Sequence, residues 1–200
     1  MTRHANPVRH VSASRLLAAA WVVGFCGSAQ AQTVLPAQSE ISFVSTQMGV
    51  PVIGRFKRWS ATIAFDPAKP EAGKVAFTID TGSASFGAAE TEAEVGKPAW
   101  FDAAKFPQAG FASTAIQANG AGNYSVSGRL TLKGASHDIV VPVSLLNLGH
   151  GMGSASGSFT VKRLVFGVGV GEWADTSLVA DAVQVRFKLA LSGLAQLAQP

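Results

Sequence analysis

An all-β fold is what the sequence predicts: a closed antiparallel barrel of eight strands, with one short helix between strands three and four. Three observations lead there. From Glu40 onward apolar residues recur with a period of two rather than 3.6, the spacing of a half-buried strand. Clusters of Gly, Pro, Asn and Asp cut the alternating runs into short lengths. Only one stretch has a helical composition, and a single short helix cannot cover both faces of an open sheet. Closure of the sheet on itself is then the economical arrangement.

An address segment precedes the strands. Met1–Arg15 carries Arg3, Arg9 and Arg15 and no acid, Leu16–Phe25 runs apolar, and Ala29-Gln30-Ala31 is a small-x-small site. This is the pattern of a secretory signal peptide cleaved after Ala31; the apolar run is about half the ~20 residues a bilayer span requires. The expected organisation is a leader over 1–31 and one domain over 32–200. Cleavage removes three of the arginines behind the formal charge of +4 and brings the domain close to neutral, which excludes a nucleic-acid partner. Cys26, the only cysteine, leaves with the leader, so neither a disulfide framework nor a thiolate metal site can form. A charged fraction of 14%, against the usual ~25%, also excludes a disordered tail protein or a coiled coil.

The strands follow in order. Ile41 and Phe43 face inward on the first. The second changes phase: Val52, Gly54 and Phe56 are even-numbered, whereas Trp59, Ala61, Ile63 and Phe65 are odd. A bulge or sharp bend near Lys57–Arg58 reconciles the two halves. After the turn from Asp66-Pro67 to Gly73, the third strand presents Val75, Phe77 and Ile79. Ala88–Val95 is the helix, with Glu90, Glu92 and Glu94 early in it and Gly96-Lys97-Pro98 stopping it. The acids read as a solvated face, since alternate helical positions do not share a side. Strand four lies near 110–118, with Phe111, Ser113 and Ala115 inward. Strand five carries Tyr124, Val126, Gly128, Leu130 and Leu132 between the turns Asn119–Asn123 and Lys133-Gly134. Strand six, near 138–146, holds Val141 and Val143. Beyond Gly149–Gly153, strand seven holds Ala155, Gly157, Phe159 and Val161, and strand eight Val183, Val185, Phe187, Leu189 and Leu191.

Eight strands enclose an interior that side chains fill or that holds one small ligand. The inward faces mix large residues with Ser45, Ala61, Ser113, Ala115, Gly128, Ala155 and Gly157. That leaves volume without the converging polar groups that ordered water needs, which predicts a dry, lipid-sized cavity. A membrane barrel would expose an apolar band with aromatic girdles; here the outer positions are Ser, Thr, Arg and Lys, with one Tyr in the chain. Phe43, Phe65, Phe77, Phe159 and Phe187 fall on apolar faces, joined there by Phe56, Ile79, Phe111, Gly128, Leu130, Val141, Val143 and Val185. Trp59, Trp100, Phe101, Phe106, Phe166 and Trp173 fall near bends and loops, where they could line a mouth or plug an end. All of these except Trp173 form the expected cavity lining. Arg55, Lys57 and Arg58 are candidates for polar contacts at one mouth. Catalysis is not expected: His137 beside Asp138, in a turn, is half of a base–orienter pair with no placed nucleophile. Gly167-Val168-Gly169-Val170-Gly171 lacks the strand–helix context of a phosphate loop and reads as a place of close backbone approach.

One set of landmarks recurs in a familiar order. It runs Ser39-Glu40-Ile41-Ser42-Phe43, Gly54-Arg55-Phe56, Phe65-Asp66-Pro67, Trp100-Phe101-Asp102-Ala103-Ala104-Lys105-Phe106-Pro107 and Phe111. Tyr124–Gly134, Val141-Pro142-Val143, Arg163 and Phe166-Gly167-Val168-Gly169 complete it. In these the chain, from Leu35 to Leu191, resembles the YceI family, secreted bacterial proteins with a lipocalin-like barrel that bind polyisoprenoids. The resemblance implies a periplasmic carrier, not an enzyme, holding a long-chain isoprenoid such as a quinone or polyprenol, with no other cofactor and no metal. Thr91-Glu92-Ala93-Glu94-Val95 stands where the family often has Arg-Asp…His-Leu, Trp100 replaces a Phe, and Leu164-Val165 replaces a polar pair. With Gly171-Glu172-Trp173-Ala174-Asp175, these departures are similar to a branch sometimes encoded beside or fused to cytochrome b561-type membrane proteins, which implies such a partner. They bear on the ligand's head group rather than on the barrel. A packed barrel serving as a protein-interaction or stress-response module, and a lipid-modifying isomerase or hydrolase, are the alternative readings; monomer and homodimer are both open.

Overall fold

The computed structural model describes residues 31–194 together with the first two. The expected signal peptide therefore lies outside the described residues except at Met1, Thr2 and Ala31. Strands make up most of the rest: β1 (Ala31–Val34), β2 (Glu40–Gln47), β3 (Val50–Phe56), β4 (Trp59–Ala64), β5 (Lys74–Asp80) and β6 (Ala84–Ser85), then the helix α1 (Ala89–Val95). After it come β7 (Gln108–Ala118), β8 (Asn123–Leu132), β9 (Ala135–Gly149), β10 (Met152–Lys162) and β11 (Ala182–Ser192). All neighbouring pairs are antiparallel, and β1 closes the ring by pairing with β4 on one side and β11 on the other.

The strands reduce to an eight-stranded barrel because three staves are each broken once, the third being β5 and β6, which part at Thr81–Ser83 and pair with β4 and β3 in turn. β1 and β2 share one edge of β11, through Val34↔Leu191 below and Phe43↔Val185 above, interrupted by a 3₁₀ turn at Pro36–Gln38. β3 and β4 form the next stave and part at Lys57–Arg58, the site of the expected bend. Its cause is local. Lys57 and Arg58 donate their backbone N–H groups to the carbonyl and the Oγ of Ser83, both at 3.0 Å, while Ser83 Oγ donates to the Asp80 carbonyl at 2.7 Å. The bonds a straight strand would give its neighbour go instead to a buried serine. Asp80 accepts from Gly82 N–H and from Arg58 Nε at 2.8 Å, and the guanidinium holds its carboxyl below the usual carboxylate range.

Two expectations need correction here. The alternation slips a second time, in β7: the register shifts between Ser113 and Ala115, so Ala115 points outward and Ile116, 3% exposed, takes the interior position. An extra residue in one strand of a pair reverses the phase beyond it. The acids of α1 are not all solvated either. Glu92 accepts from Ser85 Oγ at 2.7 Å and from the backbone N–H groups of Phe86 and Gly87, tying the helix to β6. The seven-residue helix buries Val95 against Phe43 and Ala84.

One end of the barrel is plugged. Ile63, Phe65, Ile116, Tyr124, Leu189, Leu191 and Leu194 form a buried cluster there, and Leu194 folds back over Gly153, where a Cβ would collide with it. The other end carries α1 and the connection from Arg163 to Asp181, here called the strap, which turns through two 3₁₀ segments, Arg163–Phe166 and Gly171–Ala174.

Candidate ligand-binding site

Two chambers occupy the barrel. The lower is a cavity of about 150 Å³ and presents no polar surface; Phe65, Phe77, Phe111, Val141, Val143 and Phe187 are among its walls. The upper is a cavity of about 530 Å³ with its mouth between β2, β3, α1 and the strap, and adds Ser45, Gln47, Glu90, Glu94 and Arg163 to an apolar lining. Ile79, Ala109, Leu130, Phe159 and Val185 wall both, so the chambers meet end to end.

Small inward residues do not all open space. The ring of Phe43 lies over Gly54, that of Phe111 over Gly128 and that of Phe187 over Gly157, in each case where a Cβ would stand. Gly54 and Phe43, and Gly157 and Phe187, are direct cross-strand partners. Each glycine thus lets an aromatic ring lie flat along the wall, and the free volume sits in front of the rings.

Most of the expected lining residues come together. Phe65, Phe77, Phe111, Val141, Val143 and Phe187 wall the lower chamber; Phe43, Phe56, Trp100 and Phe101 wall the upper; Ile79, Leu130, Phe159 and Val185 join them. Four stand elsewhere. Trp59 packs inward on the core beside Phe77, ring centres 6.4 Å apart, without walling either chamber. It also borders a notch with Pro36, Ser39 and Arg58 that opens where the β1–β2 and β3–β4 staves make no backbone pairs between Gln32↔Ile63 and Ser42↔Arg55. Phe106 lies against Gly134 at the β8–β9 turn. Gly128 is covered by Phe111, and Phe166 is 4% exposed beneath the strap, packed with Val161 and Val168. Arg55, Lys57 and Arg58 border the notch rather than the upper mouth; Lys57 reaches Glu92 at 3.8 Å. The lining residues that sequence reasoning passed over, such as Val75, Ile116 and Leu145, lie mostly on the alternating faces already recognised.

Arg163 was legible only as a landmark. A single arginine after an alternating strand reads as solvent-facing, yet it is 3% exposed. Its Nε donates to Ala180 O at 3.1 Å, Nη1 to Val168 O and Gly169 O, and Nη2 to Trp173 O at 2.6 Å and Val179 O at 2.7 Å. Those five bonds use all the donors a guanidinium has. Burial pushes its pKa down, opposed by the nearby Asp181 carboxylate. Gly169, at φ +71°, leaves room for both Arg163 and Trp100, whose ring centre lies 5.8 Å from the guanidinium carbon. The close approach expected of the glycine run is thus realised at Gly169. Lys133 holds the same end from the other side, with Nζ donating to Pro98 O and Gly167 O, both at 2.6 Å. Burial lowers its pKa.

His137 and Asp138 do not form a catalytic pair. They are neighbours in β9, not in a turn, so their side chains leave on opposite faces. Asp138 accepts from Arg129 Nε at 3.1 Å, and the His137 ring meets Phe166 edge-on at 4.8 Å. Among the described residues no three His, Cys, Asp or Glu stand close enough to hold a metal ion, and no helix is long and apolar enough to cross a membrane.

Comparison with known proteins agrees with this architecture. Burkholderia cenocepacia BcnA has a similar structure, with a TM-score of 0.77 and 44% identity, over 79% of this chain and 99% of that one. A UPF0312 protein of Pseudomonas savastanoi pv. phaseolicola is 37% identical over 102 residues, 50% of this chain and 53% of the relative. The chain thus spans about half the length of the curated relatives it matches first. A polyisoprenoid binding domain from Saccharophagus degradans, implicated in plant cell wall breakdown, shares the fold at 18% identity, with a TM-score of 0.67 over 83% of this chain. The model of the YceI-like domain matches residues 32–191, nearly the whole barrel, and the chain belongs to that family.

Proposed function

We propose that this protein is a periplasmic carrier that holds a long-chain isoprenoid, its tail in the lower chamber and its head toward the upper mouth. The observation that carries the reading is a lower chamber without polar surface, sharing five wall residues with an upper one that has it. A dry apolar cavity gains about 0.8 kcal/mol for each methylene-sized group it takes from water, which suits an extended hydrocarbon. The polar surface is confined to the open end, where a head group would be. The polyisoprenoid-binding domain among the structural neighbours supports the same ligand class. With His137 and Asp138 turned apart, the site is suited to binding rather than turnover. A membrane protein of the cytochrome b561 type fits as a source or acceptor of such a lipid.

Native mass spectrometry of protein purified from cells without detergent tests the proposal. A lipid adduct of isoprenoid mass is the expected result. Repeatedly ligand-free spectra, with no uptake of an added ubiquinone, would overturn it.

A further inference from the structure

Among the described residues, two buried side-chain polar atoms have no hydrogen-bond partner: Nε1 of Trp100 and Nε1 of Trp173. An indole nitrogen can only donate, and a buried donor left unpaired is rare enough in native proteins to require a cause. Here the two are neighbours, with ring centres 5.5 Å apart, and both rings wall the upper chamber. The surrounding strap does not supply the acceptors. The carbonyls of Val168, Gly169, Trp173, Val179 and Ala180 all receive N–H groups of Arg163.

We propose that Trp100 and Trp173 form the head-group subsite of the chamber, donating their indole N–H groups to the carbonyl oxygens of an uncharged head group. The inference rests on the isoprenoid reading above and specifies the polar end of that ligand. Charge selects the class. A phosphate brings about −1.5 to −2 charges and demands free cationic donors, whereas Arg163 has none to spare and Lys133 is engaged by Pro98 and Gly167. Glu90 and Glu94 wall the same chamber; Lys97 pairs with Glu94, and Glu90 would repel an anion. A quinone offers carbonyl oxygens, no charge and a flat ring that stacks on indoles. Neither nitrogen touches solvent, so each ring turns toward the adjoining chamber to meet the ligand.

The test compares three probes on the delipidated protein: a four-isoprene ubiquinone, geranylgeranyl phosphate with the same tail, and the headless hydrocarbon squalene. Trp100→Phe and Trp173→Phe keep a ring and remove the N–H. Each is expected to weaken ubiquinone binding roughly three- to tenfold and leave squalene binding unchanged. In the unsubstituted protein, the indole proton resonances of both residues should move downfield with ubiquinone and not with squalene, a readout that does not depend on a variant folding. Unchanged ubiquinone affinity in both variants, or an equal loss for squalene, would overturn the subsite while the carrier reading stands. Tighter binding of the phosphate, lost in the variants, would overturn the uncharged head group. Failure of all three probes to bind the unsubstituted protein would instead overturn the isoprenoid reading.

Discussion

Five N–H donors on one buried side chain meet five carbonyls at Arg163, and the strap has no other means of satisfying those oxygens. A lysine carries three donors on a point charge and cannot reach outward in a plane. Arg163→Lys is therefore expected to destabilise the protein by about 3 kcal/mol, since hydrogen bonds from a charged group contribute ~1.5–3 kcal/mol each. Urea unfolding measures the loss, and faster amide exchange confined to 163–181 would locate it. Glycine acts at the same scale by a different route. A Cβ at Gly128 would meet the Phe111 ring and the Ala112 carbonyl, and one at Gly157 would meet the Phe187 ring and the Pro142 carbonyl. Gly128→Ala and Gly157→Ala should each cost ~1–3 kcal/mol through overpacking, seen as a lower urea midpoint with an unchanged slope.

At the level of elements, the bend in the β3–β4 stave and the short helix are held by side chains rather than by propensity. Ser83 receives the two N–H groups freed at Lys57–Arg58, and Glu92 ties α1 to the segment before it. The hydrogen bond from Ser85, helped by the backbone N–H of Phe86 and the charge of Lys57, holds the Glu92 carboxyl below its usual range. A folded-state pKa below the unfolded one means that its stabilisation is present above the ordinary carboxylate value and is lost as pH falls through the folded one. Glu92→Gln should accordingly lower the melting temperature near neutral pH, with the difference from the unsubstituted protein shrinking as pH falls from about 7 to about 3. Melting curves followed by circular dichroism across that range check the sign. A difference that grew towards acid would contradict the assigned partner.

For the whole molecule, closure decides what the interior can be. Strands of 11 residues in β7, β10 and β11, at ~3.3 Å per residue and a tilt of ~40°, give a barrel about 28 Å tall. One end is closed by the cluster around Phe65, Tyr124 and Leu194, so the tail of the proposed ligand would enter from the upper chamber and pass the waist formed by Ile79, Ala109, Leu130, Phe159 and Val185. Ala109→Phe places a ring at that waist. It should weaken a long-tailed ubiquinone about tenfold or more, roughly 1.4 kcal/mol, and leave a short-tailed analogue nearly unaffected. Titration with quinones of graded tail length measures this, and equal losses at every length would show that the tail does not thread the waist.

The period of two fixed the staves, their inward faces and the break near Lys57–Arg58, because side-chain alternation is a local consequence of strand geometry and needs no partner to be seen. Most of the cavity lining, from Phe43 to Phe187, could be read for that reason. The slip at Thr114 could not, since Phe111-Ala112-Ser113-Thr114-Ala115-Ile116 permits either phase until β8 imposes its register. Nor could the space denied at Gly128, which depends on a ring from the adjoining strand. Trp100 lies far in sequence from Arg163 and Trp173, and nothing local tells a buried arginine from an exposed one. Only the folding of the strap over one end brought the charge, its carbonyls and the two indoles together, because burial and hydrogen-bond partnership are properties of the closed molecule.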